Sequence, residues 1–192
     1  MAAQFETFDR SGVVLVKPSI HGDHRGIFTE TWRLDEWTAA GVCARFVQDN
    51  LSRSAAAGTV RGLHYQAPPH AQAKLVRCVH GAIRDVAVDL RKGSTSYGTV
   101  FAADLSAENG HQLYVPPGFA HGFATHAPDS VVEYRCSDYY APGSEGGLAP
   151  DDPDLAIDWG IDLMSAVMSE RDRNWPRFAG FESPFDHNGE SH

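Results

Sequence analysis

The stretch Ile83-Arg84-Asp85-Val86-Ala87-Val88-Asp89-Leu90 decides the fold. Successive side chains of a strand point to opposite faces, so Val86, Val88 and Leu90 share one face and Asp85, Ala87 and Asp89 the other. The first face is apolar. The second carries carboxylates, which are costly inside a core unless each is paired. A histidine such as His121 is a fitting partner for an inward Asp85. Solvent at a strand edge is the other resting place, and the pattern alone leaves both open.

Working outward, β-branched and aromatic runs alternate with Gly, Pro, Asn and Asp along most of the chain. Strands are expected at Val13–Val16, Gly26–Trp32, Phe46–Asn50, Thr59–Tyr65, Lys74–Val79, Ile83–Leu90, Tyr97–Leu105, Leu113–Val115, Gly122–Thr125 and Val131–Tyr139. Many short strands with turn residues between them predict an all-β antiparallel sandwich or barrel. Helix is expected at Leu34–Ala40 and late in the chain at Asp162–Ser169, too little for a βαβ parallel sheet. No solenoid-length repeat is present. The reading is a single domain over residues 1–185 and a polar tail over 186–192, with periodicity already lost from Glu182.

The 192 residues fit one domain able to bury a substantial core. A formal charge of −9 argues against nucleic acid or an anionic membrane as partner, yet leaves room for a small phosphorylated ligand met by a few local cations. Cys43, Cys78 and Cys136 are widely spaced with no C-x-x-C pairing, so reduced thiols are expected rather than a disulfide framework or a zinc knuckle. There is no basic, apolar leader and no run of eighteen apolar residues, and the expected location is the cytoplasm.

The chemistry-bearing residues fall on successive strand-like stretches. His64 lies in Gly58-Thr59-Val60-Arg61-Gly62-Leu63-His64-Tyr65-Gln66, and Lys74, Pro116-Pro117-Gly118-Phe119-Ala120-His121-Gly122-Phe123 and Tyr134 follow. A base, a cation and a phenol on one β scaffold point to proton transfer at a carbon acid. Histidine, with an ordinary pKa of about 6.5, is largely neutral at cellular pH and accepts such a proton. Lys74 opens an apolar strand, where an ammonium is unexpected unless it has a task such as meeting an oxyanion; a solvated strand end is the alternative. A phenol with pKa near 10 stays protonated and can return a proton, although a strand aromatic also serves simply as core.

From about Val13 to Asp172 the chain resembles the dTDP-4-dehydrorhamnose 3,5-epimerase family of the cupin superfamily. The resemblance rests on ordered stretches: Gly22-Asp23-His24-Arg25-Gly26-Ile27-Phe28, Phe46-Val47-Gln48-Asp49-Asn50, Arg61-Gly62-Leu63-His64-Tyr65-Gln66, Ala71-Gln72-Ala73-Lys74-Leu75-Val76-Arg77, Asp85-Val86-Ala87-Val88-Asp89, Pro117-Gly118-Phe119-Ala120-His121-Gly122-Phe123 and Asp138-Tyr139-Tyr140-Ala141-Pro142. It implies a β jelly-roll, a homodimer sharing strands across its interface, and a nucleotide-sugar substrate of the dTDP-4-dehydro-6-deoxyglucose type, handled without a cofactor or metal. Inverting a carbon beside a ketone needs a base, a proton donor on the opposite face and an oxyanion stabiliser. The resemblance assigns these to His64, Tyr134 and Lys74, and places Asp172 against His64 as its orienter. For substrate binding it implies Arg25 and Arg61 at the diphosphate, Tyr140 stacked on the thymine, and Phe28, Glu30, Gln48, Asn50, His121, Glu145 and Arg171 at other contacts.

Departures bear on the substrate rather than on the reaction. Arg171 stands where the family generally has lysine, Arg84 where an aromatic is usual, Ala73 where glycine precedes the lysine, and Ala149-Pro150 where a large residue and a tryptophan are common. Epimerisation at C3 or C5 alone therefore stays open. A metal-dependent cupin is a competing reading, because Pro116-x-Gly118-x-x-His121 fits half of a cupin metal motif. The other half needs a His-x-His set, and His64 is followed by Tyr65 and Gln66, while His70 follows Pro68-Pro69 in an expected loop. A non-catalytic sugar-binding cupin would keep the arginines and aromatics without needing His64, Lys74 and Tyr134 together.

Overall fold

Alternating apolar runs make fifteen strands and two short α-helices in the computed structural model, which describes residues 3–8 and 11–187. In chain order these are β1 (Gln4–Thr7), β2 (Val14–Lys17), β3 (Ile20–Asp23), β4 (Gly26–Thr29), α1 (Leu34–Ala39), β5 (Gln48–Ser54), β6 (Val60–Gln66), β7 (Lys74–His80), β8 (Ala82–Asp89) and β9 (Arg91–Lys92). They continue with β10 (Val100–Ser106), β11 (Gln112–Val115), β12 (Phe119–Thr125), β13 (Ser130–Cys136), β14 (Glu145–Gly147), α2 (Glu170–Arg173) and β15 (Phe185–Asp186). A six-stranded sheet in the order β1-β2-β11-β7-β13-β5 faces a five-stranded sheet in the order β10-β8-β12-β6-β14. Every pairing within these two sheets is antiparallel, and the fold is the cupin-type jelly-roll.

Each expected strand has an observed counterpart, with shifted ends. Strand β4 stops at Thr29 rather than Trp32, because the Trp32 ring turns away to pack on Trp37 and Phe46 at centroid distances of 4.9 and 5.1 Å. Strand β13 ends at Cys136, where the Asp138 side chain accepts the Tyr139 N–H and redirects the backbone.

The period-two pattern of β8 explains the layering. Ile83 and Ala87 point between the sheets into a core with Leu15, Val76, Leu113, Phe119, Phe123 and Val132. Val86, Val88 and Leu90 point the other way and are equally buried, because the C-terminal stretch lays Leu148, Leu155, Trp159, Ala166 and Phe185 over that face. The centre of the five-stranded sheet is thus covered on both faces, which is why β12 is buried along its whole length. On the outer side of the other sheet, Trp37 of α1 and Val42 cover Val14, Val16, Leu75 and Tyr114.

Two expectations near the C-terminus are corrected. The helix expected at Asp162–Ser169 is a single 3-10 turn over Leu163–Ser165, capped by the Asp162 side chain, after which Val167 bridges Thr59 as extended chain. The helix comes later, at Glu170–Arg173, where Ser169 caps it by accepting the Asp172 N–H. The stretch from Glu182 is not loosely held through 187: the Ser183 hydroxyl donates to the Leu90 carbonyl, Phe185 is buried, and β15 pairs in parallel with β9. Residues 188–192 of the expected tail lie outside the described residues.

Candidate active site

The inward side chains of β5, β6, β7, β12 and β13 change character toward one end of the sandwich. Below lies the apolar core; above it stand Asn50, Arg61, His64, Lys74, His121 and Tyr134, lining two adjoining lobes of ≈ 550 and ≈ 260 Å³. His64, Lys74 and Tyr134 line both lobes.

Local backbone geometry puts Arg61 and His64 in the same cavity. Three positions apart on a regular strand, they would face opposite ways. The β6–β12 register pairs His64 with His121 but Arg61 with Phe123, so three steps on β6 match two on β12. This bulge reverses the facing of Arg61 relative to His64. Gly62, at φ +118°, sits within it, and a Cβ there would lie 2.6 Å from the Gly122 Cα, so only glycine fits.

His64 Nε2 lies 2.6 Å from Asp172 Oδ1, joining β6 to α2 across 108 residues of sequence. Burial alone would raise the Asp172 pKa, but the hydrogen bond and charge of His64, the Ser169 hydroxyl and the Gly62 backbone hold it below the usual carboxylate value. Lys74 Nζ donates to the His64 carbonyl at 3.3 Å. Burial pushes the Lys74 pKa down, opposed by Cys136, Asp85 and Glu145. Burial also raises the Tyr134 phenol, an effect that Cys136 and Glu145 reinforce and Arg61 opposes, so the hydroxyl stays protonated at neutral pH. Across the cavity His121 Nε2 lies 2.9 Å from Asp85 Oδ1, both groups buried. Asp85 therefore faces inward with the partner expected for it.

The smaller lobe has polar walls. The Gln48 side chain accepts the Tyr140 N–H at 2.9 Å and donates to Asn50 Oδ1 at 3.1 Å. Tyr140 Oη donates to Glu145 Oε2 at 2.6 Å, and Arg171 Nη2 reaches the same oxygen at 2.7 Å. Burial would raise the Glu145 pKa, but Tyr140, Arg171 and the charge of His64 hold it down.

The model of the dTDP-4-dehydrorhamnose 3,5-epimerase family matches residues 8–180 of this sequence. The chain belongs to that family. It is 47% identical over 173 residues to the dTDP-4-dehydrorhamnose 3,5-epimerase of Sinorhizobium fredii, covering 90% of this chain and 88% of the relative. A Legionella pneumophila 3,5-epimerase solved in complex with dTDP-4-keto-L-rhamnose superposes with a TM-score of 0.89 at 36% identity, over 96% of this chain and 97% of that one. The Bacillus anthracis 3,5-epimerase with TDP and PPi bound gives 0.88 at 42% identity, over 92% and 100%. The chain is an epimerase of the isomerase class.

Not every residue expected in the epimerase site meets the others in this chain. Arg25, on the turn between β3 and β4, is exposed and held by Asp23 through Nε and Nη2. Phe28 is 72% exposed, and with Glu30 it lines a separate cavity beside Arg33 and Trp37. The departures from the family pattern are accommodated internally. Arg84 reaches the Asp158 carbonyl and Asp104, and the Pro150 carbonyl accepts the buried Trp159 indole N–H at 2.8 Å. His70 lies in a loop beside Asp138 at 3.1 Å.

Some functional supports went unread in the sequence. Gln66 fixes the Tyr140 loop by donating to the His70 and Tyr139 carbonyls and accepting the Ala141 N–H. Trp175 packs edge-on to His64 with ring centroids 6.1 Å apart. Ser169 carried a readable signal: Ser169-Glu170-Arg171-Asp172 has the Ser-x-x-acid spacing of a helix start. Trp175 had none, since nothing local marks an aromatic as lying against a histidine more than a hundred positions earlier.

Proposed function

We propose that this chain catalyses epimerisation at C3 and C5 of a dTDP-4-dehydro-6-deoxyglucose-type nucleotide sugar, without a cofactor. The observation that carries the reading is the His64–Asp172 contact of 2.6 Å at a cavity that Lys74 and Tyr134 also line. With Nε2 engaged by the carboxylate, the neutral imidazole carries its proton there and presents Nδ1 as the base. His64 takes the proton α to the C4 ketone, and Asp172 stabilises the imidazolium. The electron pair moves to the ketone oxygen, where the Lys74 ammonium meets the enolate, a role worth about 10²- to 10³-fold in rate for one preorganised donor. Tyr134 returns a proton to carbon from the opposite face and is reprotonated from solvent. His121, fixed by Asp85, adds a hydrogen bond to the sugar.

At the nucleotide end, Arg61 suits the diphosphate, since a guanidinium fork matches phosphate oxygens. Tyr140 offers its face to the thymine, with Gln48, Asn50, Glu145 and Arg171 around it. Arg25, Phe28 and Glu30 fit this scheme in a homodimer whose β3–β4 hairpin reaches into the partner subunit. Exposed Ile27 and Phe28 on the hairpin and Leu51 on the outer sheet face support such an interface. The interleaved sheets and the C-terminal stretch that covers them support one domain over residues 1–185. No helix among the described residues is long and apolar enough to cross a membrane, and an acidic chain working on a dissolved sugar nucleotide suits the cytoplasm.

The test is to incubate the protein with dTDP-4-dehydro-6-deoxyglucose and read the ring configuration of the product by NMR. Inversion at both C3 and C5 is expected. Inversion at one centre would make it a mono-epimerase, the activity named for a Streptomyces bikiniensis neighbour of 36% identity and TM-score 0.81. An unchanged sugar would overturn the reading.

A further inference from the structure

A line of contacts crosses the mouth of the cleft and ends at the histidine. Glu145 Oε2 is shared by the Tyr140 hydroxyl and the Arg171 guanidinium. The guanidinium also lies over the Trp175 ring, 4.9 Å from its centroid, and that ring abuts His64. Glu145 lines the smaller lobe and Arg171 the larger, so their ion pair stands where the lobes meet. Trp175 is a fixed anchor: the adjacent Pro176 carbonyl accepts the Ala149 N–H at 2.9 Å, and a Cβ on Gly147 would come within 2.5 Å of the indole.

Helix α2 needs such an anchor. At four residues it is far too short to persist by its own hydrogen bonding. Its other ties include the Ser169 cap, Arg173 Nη2 on the Ala166 carbonyl at 2.9 Å, and the contacts of Asp172 with His64 and the Gly62 backbone. Arg171 and Asp172 are neighbours on this one turn, so what fixes the first sets the direction from which the second meets the imidazole. A lone exposed ion pair would contribute little. Here the Glu145 side chain is 12% exposed and the guanidinium lies between a carboxylate and an indole, which makes a network. A lysine at this position would keep the charge but lose the planar stack and the fork.

We propose that Arg171 is a positioning residue for the catalytic base: joined to Glu145 and stacked on Trp175, it holds α2 so that Asp172 stays aligned with His64. The inference rests on the epimerase reading of the same site. The experiment measures kcat and KM on the 4-keto sugar nucleotide for wild type, Arg171→Ala, Arg171→Lys, Asp172→Asn and the Arg171→Ala/Asp172→Asn double variant, with a thermal melt of each. Arg171→Ala is expected to lower kcat about ten-fold, in keeping with the cost of small misplacements of catalytic groups. KM should move less than kcat, and Arg171→Lys should fall between. Because Arg171 acts through Asp172, its removal should cost nothing more once Asp172 is Asn.

A raised KM with unchanged kcat would overturn the proposal and leave Arg171 as a nucleotide contact alone. Losses that multiply in the double variant would overturn it too, as would an unimpaired Arg171→Ala. Should Arg171→Ala fail to fold, Arg171→Lys alone and on the Asp172→Asn background gives the same test. Wild type inactive on the sugar nucleotide would remove the epimerase reading itself, whereas an active wild type with an unimpaired Arg171 variant removes only the positioning role.

Discussion

His121 and Asp85 sit on adjacent strands of one sheet, 36 residues apart, and both side chains are buried; His64 and Asp172 are 108 residues apart and meet only because α2 folds back over β6. The His64 side chain is 32% exposed toward the cavity, against 7% for His121. The carboxylates differ as well. Asp172 is ringed by the imidazole, the Ser169 hydroxyl and backbone, and its pKa is held down. Asp85 is fully buried, and its second oxygen has no partner among the described residues. The same two residue types thus make a buried wall on one side of the cavity and, on the other, the histidine proposed as base, open to the cavity and backed by a carboxylate.

If the division holds, His64→Asn should produce the largest effect, a fall in turnover of about 10³-fold with the fold intact, read from kcat beside a circular dichroism melt. A His121→Asn variant that lost as much would erase the distinction. Lys74→Met should cost about 10²-fold in kcat. Because the ammonium it removes is desolvated, the same variant should gain about 1 kcal/mol in urea unfolding; a loss of stability would mean that the lysine is a structural tie.

Asp85→Ala sharpens the contrast through stability rather than rate. Removing one member of a buried pair should lower the unfolding free energy by about 3 kcal/mol, whereas Asp172→Asn should cost about 1 kcal/mol or less. Equal losses in chemical denaturation would mean that both pairs are structural. The smallest effect is acid sensitivity. The Asp172 pKa in the folded chain lies below its unfolded value, near 3.9. The stability it contributes is therefore complete above about pH 4 and is lost as pH falls through the folded value. Melts of Asp172→Asn should show a shallower decline below pH 4 than wild type, and parallel curves would refute this.

The wall was more legible in sequence than the base. The alternation in Ile83–Leu90 is local, so the shared face of Asp85, Ala87 and Asp89 could be read directly, with a histidine partner following if that face turned inward; the His121 contact decides that it does. The working pair depends on features that leave little local trace. A bulge at Gly62 changes which β6 residues share the cavity, and a pattern assuming strict alternation misses it. The late helix expected at Asp162–Ser169 is displaced, because Val167 bridges Thr59 beside β6 and the capping serine starts the helix one residue beyond the expected end. The strand that carries Phe28 is legible, yet Arg25 is exposed and Phe28 lines a separate cavity, a placement that periodicity does not encode.

The central claim is that one group removes the proton and another returns it, and deuterium wash-in tests it most directly. The 4-keto sugar nucleotide is incubated in deuterated water with wild type, His64→Asn and Tyr134→Phe, and label and configuration at C3 and C5 are followed by NMR. Wild type should label and invert both centres, His64→Asn should label neither, and Tyr134→Phe should label without inverting. Label entering at the wild-type rate with His64→Asn would contradict the account.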